Sequence, residues 1–239
     1  MSRLGRRSVG WSTTSLGSPW RATTTPPPDF SSVALLTIDV QRDVLDGGGI
    51  EIPGTSAVLP RLRALVEAFR RAGRPIVHLV RLYETDGRNA DLCRRALIED
   101  GARLLCPDTP GAELADELHA EGAPPLDAEL LLAGGLQELG PGEAVLYKPR
   151  WSAFYGTPLE EHLRGLGVSS LIVAGCNFPN CPRATLFDAS CRDFRLALAT
   201  DAVSQLEDRD HAQMANIGVA LLGVEDLSAA LPPMPQAVG

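Results

Sequence analysis

Short apolar runs alternate with amphipathic segments along most of this chain, and that alternation is what most restricts its fold. Val33–Asp39, Pro75–Arg81, Ala144–Tyr147, Ser169–Ala174 and Arg195–Thr200 read as strands. The first is rich enough in β-branched residues to suit a buried parallel position. Between the first two, Val58, Leu62, Leu65, Val66 and Phe69 recur at three- and four-residue spacing. That spacing predicts a helix over Thr55–Gly73, with Thr55 as N-cap and Gly73 as C-cap. Further helices are expected near Ala90–Asp100, Ala112–His119, Pro158–Leu166, Pro182–Arg192 and Asp210–Leu222. Strands alternating with helices predict an open α/β sheet covered on both faces. In such sheets ligands bind beyond the carboxyl ends of the strands, where the strand order reverses. Asp39, Arg81, Lys148 and the Gly175–Pro182 turn are therefore the positions to inspect.

Composition narrows the class. The 239 residues carry a net charge of -8, which argues against a dedicated nucleic-acid binder, whose surface is usually basic. No apolar run approaches the roughly 20 residues that cross a bilayer. Residues 1–28 hold Arg3, Arg6, Arg7 and Arg21, no acid and a Pro26-Pro27-Pro28 end. Such a composition cannot bury enough apolar surface to offset its ordering entropy. The expected organisation is a disordered basic tail over 1–29, one domain over 30–229 and a C-terminal tail over 230–239. Arg6-Arg7 is followed by Ser, Gly and Thr rather than an apolar stretch, so an export signal is not expected. The cysteines (Cys93, Cys106, Cys176, Cys181 and Cys191) are odd in number. That does not suit a disulfide framework, and reduced thiols in the cytoplasm are the expectation.

Three features carry chemistry. Asp39 ends an apolar run, where a carboxylate is costly unless paired; a loop-holding role and a catalytic one are both open. Of 22 basic residues only Lys148 is a lysine, and its place just past a strand suggests that a guanidinium would not serve there. Cys181 precedes Pro182, which fits a first helical turn. A helix N-terminus there would lower the thiol pKa and offer free N–H groups to a developing oxyanion. Cys176 and Cys191 read more simply as small core residues. The spacing Cys176-x4-Cys181-x9-Cys191 lacks the C-x2-C pairs of structural zinc sites. A Cys176–Cys181 redox pair would have no C-x-x-C motif. His78 reads as a sheet histidine.

Taken together, Ile38-Asp39-Val40-Gln41, Lys148-Pro-Arg-Trp-Ser-Ala-Phe154-Tyr-Gly-Thr157 and Val173-Ala-Gly-Cys-Asn-Phe-Pro-Asn-Cys181 resemble the isochorismatase-like cysteine hydrolases. Nicotinamidases and N-carbamoylsarcosine amidohydrolases belong to that group. The resemblance spans about residues 32–225. It implies a three-layer α/β/α sandwich around a mainly parallel six-stranded sheet, and a catalytic triad of Asp39, Lys148 and Cys181. It also implies a non-proline cis peptide at Cys176–Asn177 and an oxyanion hole built from the amides of Asn177 and Cys181.

Two departures sharpen the expectation. Nicotinamidase-like members bind a metal through an Asp-x-His pattern after the second strand, whereas here Arg81-Leu-Tyr-Glu-Thr-Asp-Gly-Arg-Asn contains no histidine. Neither a metal nor any other cofactor is therefore expected. Isochorismatases proper lack the nucleophilic cysteine, so Cys181 points to hydrolysis of an amide, ureido or carbamoyl C–N bond through a thioester. A catalytically inert binding protein on the same fold, or an isochorismatase- or nicotinamidase-type hydrolase, is the alternative. Gln41, Arg81, Trp151 and Phe154 are expected to contact the substrate, and one of Arg81, Arg88, Arg94, Arg95 and Arg150 to clamp a substrate carboxylate. The expected partner is a small-molecule substrate, with no nucleic acid and no membrane, in a homo-oligomer.

Overall fold

The computed structural model describes residues 25–232. In chain order its elements are β1 (Val33–Ile38), α1 (Thr55–Arg71), β2 (Ile76–Val80), α2 (Leu92–Glu99), α3 (Ala128–Leu132), β3 (Leu136–Gly140), β4 (Glu143–Tyr147), α4 (Leu159–Gly165), β5 (Ser170–Gly175), α5 (Cys181–Ser190), β6 (Arg195–Val203), α6 (Asp208–Asn216), β7 (Val219–Leu222) and α7 (Val224–Ala230). The strands form one sheet in the order β3-β4-β2-β1-β5-β6-β7. All pairs are parallel except β3 with β4.

Strand periodicity explains the layers. Every residue of β1 is buried, because a central parallel strand is covered on both faces. Ala34, Leu36 and Ile38 face a core shared with Leu159 and Leu163 of α4, Leu186 of α5 and Met214 of α6. Val33 and Leu35 point the other way, to Leu62, Leu65 and Phe69 of α1 and Leu227 of α7. Successive side chains alternate across a strand, so one short run feeds two cores. Among the described residues no helix is long and apolar enough to cross a membrane.

The sheet has seven strands, one more than the six that the resemblance implies and two more than the five read from the sequence; the two unread strands, β3 and β7, lie at its edges. β7 occupies the end of the segment expected to continue a helix to Leu222. Gly218, with φ +78°, stops that helix and lets Val219–Leu222 run beside β6. Ala112–His119 is not a helix either: it holds two single 3₁₀ turns, Pro110–Ala112 and Asp116–Leu118. Its backbone is diverted to the end of β1, with Ala115 N–H donating to the Val40 carbonyl and Gln41 bridging to Leu114. At the start of α1 the cap position falls on Gly54, and Thr55 is the first helical residue.

Residues 1–24 and 233–239 of the expected tails lie outside the described residues. Within 25–29 the chain is tied to the domain, since Asp29 N–H donates to Ser170 Oγ at 2.8 Å.

Candidate active site

β1 leads on one side to β2 and β4 and on the other to β5 and β6. The direction of winding reverses at β1, and a crevice opens beyond its carboxyl end. Asp39 is the first residue past β1 and sits at φ +55°. Few residues other than glycine adopt that left-handed conformation, but aspartate is among those enriched there. Its N–H donates to the Leu79 carbonyl, extending the β1–β2 ladder by one bond. Lys148 leaves β4 in the same way, its N–H donating to the Val80 carbonyl.

The side chains then converge. Lys148 Nζ lies 2.8 Å from Asp39 Oδ2, and the lysine is completely buried. Asp39 Oδ1 is buried with no hydrogen-bond partner, a free acceptor in the cavity that Cys181 also lines. Cys181 is the first residue of α5, with Pro182 next, so its own N–H falls in the unpaired first turn. The N–H groups of Asn177 and Cys181 have no intramolecular acceptor among the described residues. Their neighbours in the turn are all spoken for: Cys176 N–H donates to Ile38, Phe178 to Ser204 and Asn180 to Asn177.

Two expectations for this turn are corrected. No peptide bond among the described residues is cis, so Cys176–Asn177 is trans. The chain turns instead at Gly175, at φ +115°, against β1. Nor is the Cys181 thiol lowered in pKa. Burial pushes it up and the Asp39 carboxylate pushes it further, against the opposing pull of Lys148 and Arg81. A helix terminus does not offset that desolvation, so the resting group is a thiol beside an acceptor carboxylate. Cys176 is deeply buried and its thiol is pushed up to about 12 by desolvation, which leaves it inert. Cys191 is exposed, not a core residue as expected; the described cysteines are all free.

Of the expected substrate contacts, two reach the cavity and two do not. Arg81 and Trp151 line it, together with Arg94, Val44, Ile52 and Leu105. Gln41 is fully buried elsewhere: its Nε2 donates to the Arg81 and Ala112 carbonyls and its Oε1 accepts from Arg81 N–H. It braces two strand ends and has no donor left for a substrate. Phe154 belongs to the core, stacked near Phe194 at 5.8 Å. Among the candidate clamping arginines, Arg88 is exposed and paired with Glu84, and Arg150 is committed to carbonyls. Arg94 lines the cavity with its guanidinium 5.6 Å from the Trp151 ring centroid, and its side chain makes no hydrogen bond among the described residues. The cavity volume is about 20 Å³.

Sequence reasoning missed Asp91. Its Oδ2 accepts from Arg81 Nη1 at 2.9 Å and from the Tyr83 hydroxyl at 3.0 Å. No periodicity marks it, because it sits in the irregular stretch before α2. The segment after β2 thus presents a buried Arg81–Asp91 ion pair where a metal-binding relative would present histidines. Among the described residues no three His, Cys, Asp or Glu side chains converge as metal ligands. The residues present do not fit a metal ion.

A strand-order reversal, a buried lysine on an aspartate and a cysteine at a helix start thus meet at one rim of an open α/β sheet. The Isochorismatase domain family matches residues 33–226, and the chain belongs to that family. It is 31% identical over 197 residues, covering 80% of this chain and 91% of its relative, to a probable inactive nicotinamidase of Arabidopsis thaliana. A ureidoacrylate amidohydrolase of Methylobacterium radiotolerans is 30% identical over 217 residues, 84% of this chain and 79% of that protein. An isochorismatase family protein of Desulfovibrio vulgaris superposes with TM-score 0.71 at 32% identity, over 84% of this chain and 98% of that one.

Proposed function

We propose that this protein is a metal-independent cysteine hydrolase that cleaves the C–N bond of a small amide, ureido or carbamoyl compound through a thioester. The observation that carries this reading is the ion pair of Lys148 with Asp39, at 2.8 Å, in the cavity lined by Cys181. Asp39 Oδ1 takes the thiol proton as the sulfur attacks the substrate carbonyl carbon. Lys148 holds the carboxylate in place and favours the thiolate that forms. The N–H groups of Asn177 and Cys181 receive the oxyanion, a contribution of about 3–4 kcal/mol per donor in comparable chemistry. Asp39 returns the proton to the nitrogen as the C–N bond breaks and the amine or ammonia leaves. It then takes a proton from water, whose oxygen attacks the thioester, and the released thiolate is reprotonated.

Arg94 is the group in this reading that binds a substrate carboxylate. With Lys148, Arg81 and Arg94 against Asp39 and Asp91, the site carries one excess positive charge, which an anionic substrate neutralises.

A catalytically inert member of the family is the competing reading. It is favoured by the small volume of the cavity, about 20 Å³. Ammonia release across small amides, carbamoyl amino acids and ureides separates the two readings, with Cys181→Ala as control. Release that disappears in the variant supports the hydrolase. Absence of release from every compound, or release that survives in Cys181→Ala, overturns it.

A further inference from the structure

We infer that Arg81 is a catalytic residue of this site, a fixed cation that receives the Cys181 thiolate when the proton moves to Asp39, with Asp91 and Tyr83 as its positioning residues. The inference deepens the hydrolase reading and rests on Cys181 as its nucleophile.

The geometry is specific. Arg81 projects from the end of β2 with its side chain almost wholly enclosed, as is that of Asp91. Nη1 is used twice, by Asp91 Oδ2 and by the Pro149 carbonyl, each at 2.9 Å. Nη2 lies 4.0 Å from Cys181 Sγ. Nε is buried with no partner at all. The guanidinium is thus clamped on one edge while its remaining N–H groups stay uncommitted within the active-site cavity. A buried donor left unpaired costs roughly 1–3 kcal/mol, an expense that makes sense where an anion forms during turnover. Trp151 and Tyr83 also flank the group, with ring centroids 5.7 and 5.9 Å from Cζ, which restricts its plane.

The charges rearrange without any new participant. In the resting state Asp39 faces Lys148 and Asp91 faces Arg81. The S–H bond then breaks and an O–H bond forms on Asp39 Oδ1, while the electron pair stays on sulfur. That sulfur now feels the charges of two cations, Lys148 and Arg81, until the pair forms the C–S bond. Arg81 neither gains nor loses a proton. Although burial alone would lower its pKa, the carboxylates of Asp39 and Asp91 hold it above the ordinary arginine value. It therefore stays charged throughout.

The test measures the thiol itself and needs no substrate: the pH profile of Cys181 alkylation by iodoacetamide, resolved by peptide so that exposed Cys93 and Cys191 serve as internal references. Arg81→Gln, and Arg81→Gln with Asp91→Asn, should each raise the Cys181 midpoint by about 1–3 pH units, since an opposite charge at this range is lost. The double variant removes the ion pair as a unit and leaves no unpaired buried carboxylate, which protects folding. Arg81→Lys should restore most of the shift. Midpoints unchanged in the glutamine variants, or moved equally in the lysine variant, overturn the inference. So does a raised KM for a neutral amide with an unmoved midpoint, which would make Arg81 a substrate-binding residue only. Failure of the hydrolase reading shows separately, as absent ammonia release with the midpoint shift intact.

Discussion

Lys148 Nζ and Asp39 Oδ2 meet at 2.8 Å from the ends of two strands that are not neighbours, since β2 lies between β4 and β1. The lysine side chain reaches past Arg81's strand to a carboxylate that has no other partner for its second oxygen. Lys148→Met therefore leaves a buried, uncompensated carboxylate and should destabilise the domain by about 3–5 kcal/mol. Asp39→Asn combined with Lys148→Met should recover most of that loss, because two neutral groups replace the pair. Urea midpoints of the single and double variants check this, and both should lose hydrolysis by about 10³-fold or more. Lys148→Arg should also fail: the enclosed site lacks room for a planar guanidinium, and overpacking costs about 1–3 kcal/mol.

Gly175 is a second single-residue dependency. At φ +115° it adopts a backbone conformation that side chains disfavour, and a Cβ there would overlap the backbone of Ile38. Ile38 immediately precedes Asp39, so the strain of Gly175→Ala falls on the carboxylate as well as on the β1–β5 pairing. The variant should melt several degrees lower and lose more activity than its stability loss explains. Calorimetry beside turnover, with Gly101→Ala as an exposed control of similar φ (+102°) and no neighbour within 4 Å, distinguishes the two effects.

Acid stability should depend on Glu143. Burial would raise its pKa, but the hydrogen bonds from Arg70 and His78 prevail and hold it down at about 2, against an ordinary 4.5. A depressed native pKa stabilises above the unfolded value and is lost as pH falls through the native one. The stabilisation is therefore complete above about pH 5 and disappears towards pH 2, amounting to about 3 kcal/mol at 1.36 kcal/mol per unit. Glu143→Gln should flatten that part of the stability–pH curve, as followed by denaturant midpoints between pH 6 and pH 2.5.

The fold and the placement of Asp39, Lys148 and Cys181 at the sheet's rim were legible in the sequence because both depend on local pattern. Period-two apolar runs place Val33 and Leu36 on opposite faces whatever follows them, and a residue ending such a run lies at the sheet's rim. The edges were harder to read. β3 spans Leu136–Gly140 with only Gln137 and Leu139 buried, too weak an alternation to register, and β7 is set by a single glycine. Long-range partnerships were not legible at all. Gln41 looks like a pocket residue by its place after Asp39, yet its amide is consumed by backbone groups of Arg81 and Ala112. Asp91 carries no local signal, since its role depends on where Arg81 points. The expected lowering of the Cys181 pKa failed for a related reason: a helix terminus can be read from Pro182, but burial and the nearness of Asp39 cannot.

Arg94 allows the substrate's charge to be tested apart from the chemistry. It sits on α2 beside Trp151 and lines the same cavity as Asp39 and Cys181. Its side chain has no carboxylate within salt-bridge distance among the described residues, unlike Arg81 or Arg88. A guanidinium held against an indole face but left without an anion is suited to a bidentate carboxylate contact. Arg94→Gln should raise KM for an acidic ureido or carbamoyl substrate by about tenfold to a hundredfold, the equivalent of one charge-assisted contact of about 1.5–3 kcal/mol. For the corresponding neutral ester or amide KM should hardly move, and kcat should be similar for both, since Arg94 does not touch the reacting sulfur. Equal losses for acid and ester would show that the residue supports the cavity wall and reads no charge.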